Sequence, residues 1–174
     1  MISTMIGAMI DDALRDTAAR VLDACRTHGH KVATAESCTG GLVAGALTEI
    51  PGSSDVLDRG FVTYSNAAKE TLGVPAVILE RHGAVSRETA DAMAAGALAM
   101  SSADLAVAIT GIAGPGGGSA EKPVGLVHFA AAARDGRRVH HEKRYGDIGR
   151  SAVRTKAVAE ALTMLEVLTA VPGT

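Results

Sequence analysis

Apolar residues recur every three or four positions from about Asp11 to Thr27, where Leu14, Ala18, Val21, Leu22 and Cys25 form one stripe. That spacing predicts an amphipathic helix, and Gly29 can close it. A short strand is predicted over Lys31 to Ala35. The polar turn Glu36-Ser37-Cys38-Thr39-Gly40-Gly41 follows, and a second helical period runs from Leu42 to Ile50 until Pro51-Gly52 ends it. Arg59 to Tyr64 has the pattern of another strand. Ser65 is placed to cap a short helix through Leu72, with Gly73 at its end. A further short helix fits Pro75 to His82, and Ser86 can cap a long one from Arg87 to about Ser101. That long helix is so rich in Ala and Gly that its neighbours must pack very close.

Leu105-Ala106-Val107-Ala108-Ile109 is a continuous apolar run, as expected of a central strand covered on both faces. Thr110 to Pro123 holds Gly111, Gly114, Gly116, Gly117, Gly118 and two prolines, which predicts a long loop directly after that strand. Two β runs, Val124 to Ala133 and Arg138 to Tyr145, flank the hairpin signal Asp135-Gly136. The last helix, from about Arg150 to Thr169, carries Val153, Ala157, Val158, Ala161, Leu162, Leu165 and Leu168 on one stripe. This order predicts a three-layer α/β/α sandwich with a mixed, mostly parallel sheet that includes a C-terminal β-hairpin.

The 174 residues, 47% of them hydrophobic and 21% charged, suit one compact domain over residues 11–174. Residues 1–10 are left as an N-terminal extension compatible with disorder. A formal net charge of -2 gives no basic excess for a nucleic-acid backbone, and 2% aromatics cannot build a stacking platform. The two cysteines, Cys25 and Cys38, are expected as reduced thiols. With no secretory n-region and no uninterrupted apolar run long enough to span a bilayer, the expectation is a cytoplasmic protein without membrane partners.

Three segments have the features of a ligand site at strand C-termini, where helix N-termini favour anions. In Ser37 to Gly41, Ser37 or Thr39 either presents a hydroxyl to a ligand or merely caps the next helix. The loop Thr110-Gly111-Ile112-Ala113-Gly114-Pro115 exposes backbone N–H groups but lacks the Lys and Ser/Thr ending of a Walker loop. In Tyr64-Ser65-Asn66-Ala67-Ala68-Lys69, Lys69 lies one turn past the Ser65 cap. Desolvated beside Ser37 it could serve as a base, whereas on an open helix face it would be an ordinary lysine. Arg150 and Arg154 lie one turn apart at a helix N-terminus, where the helix dipole disfavours cations by about 0.3–1 kcal/mol each. Either a bound phosphate or a pairing with Asp147 could offset that placement. Cys38 is the rival nucleophile, because a thiol at a helix N-terminus has a lowered pKa. None of the histidine pairs has metal-site helical spacing, so no metal is expected.

Thr34-Ala35-Glu36-Ser37-Cys38-Thr39-Gly40-Gly41, Arg59 to Asn66 with Lys69, His82-Gly83-Ala84-Val85-Ser86, Thr110 to Pro115 and Lys122-Pro123-Val124-Gly125 together resemble the CinA C-terminal domain family. The resemblance runs from roughly Asp16 to Leu168 and is to the stand-alone form, whose enzymatic members are nicotinamide-nucleotide amidases of the PncC type. It implies hydrolysis of nicotinamide mononucleotide to nicotinic acid mononucleotide and ammonia, in pyridine-nucleotide salvage and with no cofactor. It also implies that Ser37, Tyr64 and Lys69 are catalytic, with Thr39, Gly40, Gly41, Asn66, Thr110, Gly111 and Arg150 or Arg154 binding the substrate and its phosphate. The competing class is a non-catalytic nucleotide-binding or regulatory module linked to competence or DNA damage. A homodimer is expected because small enzymes commonly form symmetric ones.

Overall fold

The structure, a computed structural model, describes residues 10–170; apart from Ile10, the expected N-terminal extension lies outside them. Helix α1 spans Asp12–His28 and is followed by β1 (Val32–Glu36), α2 (Leu42–Thr48), a 3-10 turn (Ser53–Asp55) and β2 (Leu57–Val62). Then come α3 (Asn66–Leu72), α4 (Ala76–His82), α5 (Arg87–Ala99), β3 (Leu105–Gly111), β4 (Leu126–Ala133), β5 (Arg138–Arg144) and α6 (Arg150–Ala170). The five strands form one sheet in the order β2-β1-β3-β4-β5. β2, β1 and β3 are parallel, and the β4–β5 hairpin completes the sheet antiparallel to them. The predicted α/β class, mixed sheet and hairpin are all present.

The two faces of the sheet are packed in different ways. Towards α1, α2 and α6 it presents large side chains, Val107, Ile109, Val127 and Phe129, which meet the Leu14 to Cys25 stripe of α1 and the Val153 to Leu168 stripe of α6. Each fully buried Leu or Val of these stripes contributes about 1.5–3 kcal/mol. Towards α5 the sheet presents alanines alone in its central rows: Ala33, Ala35, Ala106, Ala108, Ala130 and Ala132. With so little side chain between them, α5 lies close against the strands, which is why it consists largely of Ala and Gly.

Close packing extends sideways to α3. A methyl group in place of the Gly96 hydrogen would stand 2.2 Å from the Leu72 carbonyl oxygen, so only glycine lets the end of α3 rest on α5. The serine caps behave as predicted: Ser65 Oγ accepts from the Ala68 N–H at 3.0 Å and Ser86 Oγ from the Thr89 N–H at 3.1 Å. Asp135-Gly136 turns the hairpin, with the Gly136 N–H donating to Ala133 O at 3.0 Å. The expected strand over Arg59 to Tyr64 begins earlier, at Leu57, and ends at Val62, so Tyr64 stands in the connection to α3. The predicted loop from Thr110 starts later, because the β3 pairing with β4 continues through Gly111.

Gly96→Ala is expected to destabilise the protein by about 2–3 kcal/mol in urea unfolding, since the added methyl must push α3 off α5. A loss under about 0.5 kcal/mol, the range of a neutral surface change, would show that the contact has slack.

Candidate active site

The parallel strands β1 and β3 end side by side, and the Ser37 N–H donates to Ile109 O at 2.9 Å, continuing their pairing by one residue. Side chains alternate along β1, so Thr34 and Glu36 face α2, whereas Ala33, Ala35 and then Ser37 face the α3–α5 layer. Lys69, on α3, meets Ser37 there. Its Nζ lies 3.0 Å from Ser37 Oγ and donates to Thr63 O at 2.7 Å. Lys69 is 1% exposed, and this burial pushes the amine below its ordinary value of 10.5. Among the described residues, no carboxylate contacts the amine. A charged Lys69 donates to Ser37, whereas a neutral one can accept the Ser37 hydroxyl proton across the same 3.0 Å. Of the two readings open for Lys69, the structure shows the desolvated one.

Glu36, which sequence reasoning passed over, organises the turn next to Ser37. Its fully buried carboxylate accepts from the Val43 N–H at 2.9 Å, the Ala44 N–H at 3.1 Å and Thr34 Oγ1 at 3.3 Å. The first turn of α2 is thereby already occupied by an anion of the protein itself, and a ligand phosphate has no claim on those two N–H groups. Gly40 and Gly41 adopt φ of +59° and +99°, a left-handed pair that brings the chain from β1 into α2. Thr39 is fully buried and its Oγ1 has no hydrogen-bond partner among the described residues, so its hydroxyl is not presented at the surface.

Cys38 departs from expectation. It is 4% exposed, and desolvation pushes its thiol up to about 11, opposite to the lowering that a helix N-terminus alone would cause. It is a buried neutral thiol at physiological pH.

The two arginines of α6 also find partners other than those foreseen. Arg154 Nε donates to Cys38 O at 3.1 Å and its Nη2 to Thr39 O at 3.3 Å. Arg150 Nη1 donates to Gly114 O at 2.9 Å and its Nη2 to Tyr64 Oη at 2.7 Å. Backbone carbonyls, with one phenol, meet these cations, and Asp147 does not. Tyr64 is 60% exposed and its hydroxyl is bound to Arg150 rather than to Ser37 or Lys69. Arg150 therefore links the segments after β2 and β3.

Thr110 is buried, and its Oγ1 donates to Ala84 O at 2.6 Å. Gly111 belongs to β3; a methyl there would lie 2.8 Å from Leu126 O, so this glycine serves strand packing. Asn66 is exposed in the first turn of α3. Ser37, Lys69, Thr39, Gly40, Gly41 and Arg154 thus gather at the end of β1, and Tyr64, Arg150 and Gly114 form a second linked group. Among the described residues, no group of three or more His, Cys, Asp and Glu is arranged to hold a metal, and no helix is long and apolar enough to cross a membrane.

The CinA C-terminal domain profile matches residues 14–169. The chain belongs to the CinA C-terminal domain family. Over 156 residues, 88% of this chain and 94% of the relative, it is 50% identical to the Enterobacter agglomerans protein named nicotinamide-nucleotide amidohydrolase PncC. A CinA-like protein of Synechococcus sp. (strain RCC307) is 52% identical over 157 residues, and the chain spans only 37% of that protein's length. The crystal structure of the competence/damage inducible protein CihA from Agrobacterium tumefaciens superposes with a TM-score of 0.89 at 60% identity, covering 91% of this chain and 96% of that one.

The buried amine has a measurable consequence. Between the depressed folded-state pKa of Lys69 and 10.5, the unfolded chain holds a proton that the folded chain does not, so this group makes stability rise with pH across that window. Urea unfolding between pH 7 and 10.5 is expected to show that rise in the wild type and a flatter profile in Lys69→Met. Identical slopes would place the Lys69 amine in water.

Proposed function

We propose that this chain is an amidohydrolase that converts nicotinamide mononucleotide to nicotinic acid mononucleotide and ammonia, in pyridine-nucleotide salvage and without a metal. The observation that carries this reading is the desolvated Lys69 amine 3.0 Å from Ser37 Oγ. The substrate follows from the half-identical Enterobacter agglomerans protein, a nicotinamide-nucleotide amidohydrolase by name.

Amide hydrolysis needs a nucleophile, a base that later protonates the departing nitrogen, and donors for the tetrahedral oxyanion. Neutral Lys69 takes the Ser37 proton as Oγ attacks the carboxamide carbon, and the carbonyl electron pair moves onto oxygen. Collapse of this intermediate breaks the C–N bond, and the Lys69 ammonium returns its proton to the leaving nitrogen, which departs as ammonia. Water then attacks the resulting Ser37 ester, giving one proton to Lys69; as the C–Oγ bond breaks, Lys69 passes that proton to Ser37 Oγ, and the acid leaves as its carboxylate with its remaining proton released to solvent. The Gly40 N–H is already used by Ser37 O at 3.0 Å. The N–H groups of Thr39 and Gly41 are therefore the oxyanion donors assigned in this reading. Tyr64 and Arg150 orient the substrate from the rim, and Asn66 and the Thr110-Gly111 segment flank it. Arg154 holds the turn through its two carbonyls. A homodimer belongs to the same proposal, with Val62 and Met100 exposed beside the unpaired edge of β2 and sedimentation as its test.

Ammonia release from nicotinamide mononucleotide is expected to fall by at least about 10³-fold in Ser37→Ala. Cys38→Ala should retain turnover within a few-fold. Full turnover by Ser37→Ala would move the nucleophile to Cys38 or to a bound water. Saturable binding of the nucleotide by the wild type without ammonia release would favour a non-catalytic nucleotide-binding module. The kcat/KM profile should rise with pH through a group below 10.5, since only the neutral amine accepts the proton.

A further inference from the structure

One buried side chain beside Ser37 and Lys69 has no part in the chemistry so far. Thr63 follows β2 and is 5% exposed, and its Oγ1 has no hydrogen-bond partner among the described residues. A hydroxyl in that condition has given up its hydration without compensation, and buried polar groups in folded proteins nearly always hold another group or a water.

Strand register sets this hydroxyl next to the serine. Val62 pairs with Glu36, and the Thr63 N–H donates to Glu36 O at 2.8 Å, so the ladder runs one position further and places Thr63 beside Ser37. Their backbones are one strand spacing apart, about 4.8 Å. Phe61 packs with the α5-side cluster, and Thr63, two positions on, points to that same face, which Ser37 shares. Lys69 bridges the two residues, with Nζ 3.0 Å from Ser37 Oγ and 2.7 Å from the Thr63 carbonyl oxygen. The amine nitrogen has three tetrahedral positions beyond its carbon, and these contacts fill two of them. Amine and hydroxyl therefore each lack one partner at the same place.

A cavity of about 420 Å³ between β2 and α3 borders Thr63, with Phe61, Ala68, Leu72 and Met100 among its other walls. Those four walls are apolar, whereas a water settles where two to four polar groups converge, as they do at the Thr63 and Lys69 end. Ser37 does not line this cavity, so water can reach Thr63 from that side while an acyl group occupies the serine.

We propose that the Thr63 hydroxyl, together with the Lys69 amine, holds the water that cleaves the Ser37 ester. Neutral Lys69 takes one proton of this water, and Thr63 Oγ1 accepts a hydrogen bond from the other, which leaves an oxygen lone pair free to bond to the ester carbon. As the C–Oγ bond breaks, the Lys69 ammonium gives its proton to Ser37 Oγ, and the acid departs as its carboxylate with its remaining proton released to solvent. The inference rests on the Ser37 nucleophile of the amidase reading, but not on which amide is the substrate.

p-Nitrophenyl acetate separates the two halves of the cycle, because nitrophenolate leaves without a proton from Lys69 and only removal of the acetyl group needs the water. The wild type is compared with Thr63→Val, which keeps the shape and drops the hydroxyl, and with Thr63→Ser, which keeps the hydroxyl. Valine is expected to fold normally, since the hydroxyl it removes has no partner among the described residues. Nitrophenolate release in the first turnover should agree within about twofold in all three proteins. The lifetime of acetyl-Ser37, followed by intact mass, should be about tenfold longer in Thr63→Val, the scale of one lost hydrogen bond, and close to the wild type in Thr63→Ser. Equal lifetimes in the wild type and Thr63→Val would overturn the assignment, as would a first turnover slowed as much as the deacetylation, the mark of a structural role. A wild type that acquires no acetyl group on Ser37 would remove the nucleophile and this inference together. A wild type that is acetylated and deacetylated but releases no ammonia from nicotinamide mononucleotide would defeat the substrate reading alone, while the lifetimes still decide Thr63.

Discussion

The amine of Lys69 is held out of water with, among the described residues, only a serine hydroxyl and the Thr63 carbonyl for partners. An ammonium in that position gives up hydration without gaining a carboxylate, so the neutral form gains relative weight. The packing around it enforces this condition. α3 can bring Lys69 over the end of β1 because Leu72 rests on Gly96, and α5 lies low because the sheet beneath it carries alanines. The thin layer on one side of the sheet is thus what places the amine beside the hydroxyl, while the thick layer against α1 and α6 supplies most of the apolar burial.

Charge is distributed around this pair in a consistent way. The positive end of α2 is matched by Glu36 from within the protein, which leaves the turn after Ser37 fixed and its hydroxyl free of an acidic neighbour on its own face. At the start of α6 the dipole opposes Arg150 and Arg154 by about 0.3–1 kcal/mol each. Hydrogen bonds from a charged donor contribute about 1.5–3 kcal/mol, so the contacts to Cys38 O, Thr39 O and Gly114 O outweigh that cost. These arginines act as clamps on the loops around the site.

Much of the architecture could be read from the chain itself. The stripes of α1 and α6, the serine caps at Ser65 and Ser86, and the Asp135-Gly136 turn depend on residues a few positions apart, and local periodicity reports them directly. The Ser37–Lys69 pairing was open to sequence reasoning because both ends lie where a strand meets a helix, although only the fold could separate a desolvated amine from an exposed one. Other features depend on contacts distant in sequence. Glu36 caps a helix that begins six residues later, and Arg154 reaches a turn on the far side of the chain. The shift of the Cys38 thiol depends on how completely its surroundings exclude water, which outweighs the helix N-terminus that suggested the opposite direction. The alignment of Thr63 with Ser37 appears only when the register of β2 against β1 is known.

The most direct test is a ¹³C NMR titration of the lysine ε-carbons, comparing the wild type with Lys69→Met to assign the signal. One lysine is expected to titrate below 10.5 in the folded protein and to be missing from the variant. A Lys69 signal titrating at or above 10.5 would mean that the ammonium is favoured beside Ser37, and the neutral base on which the account depends would not be available.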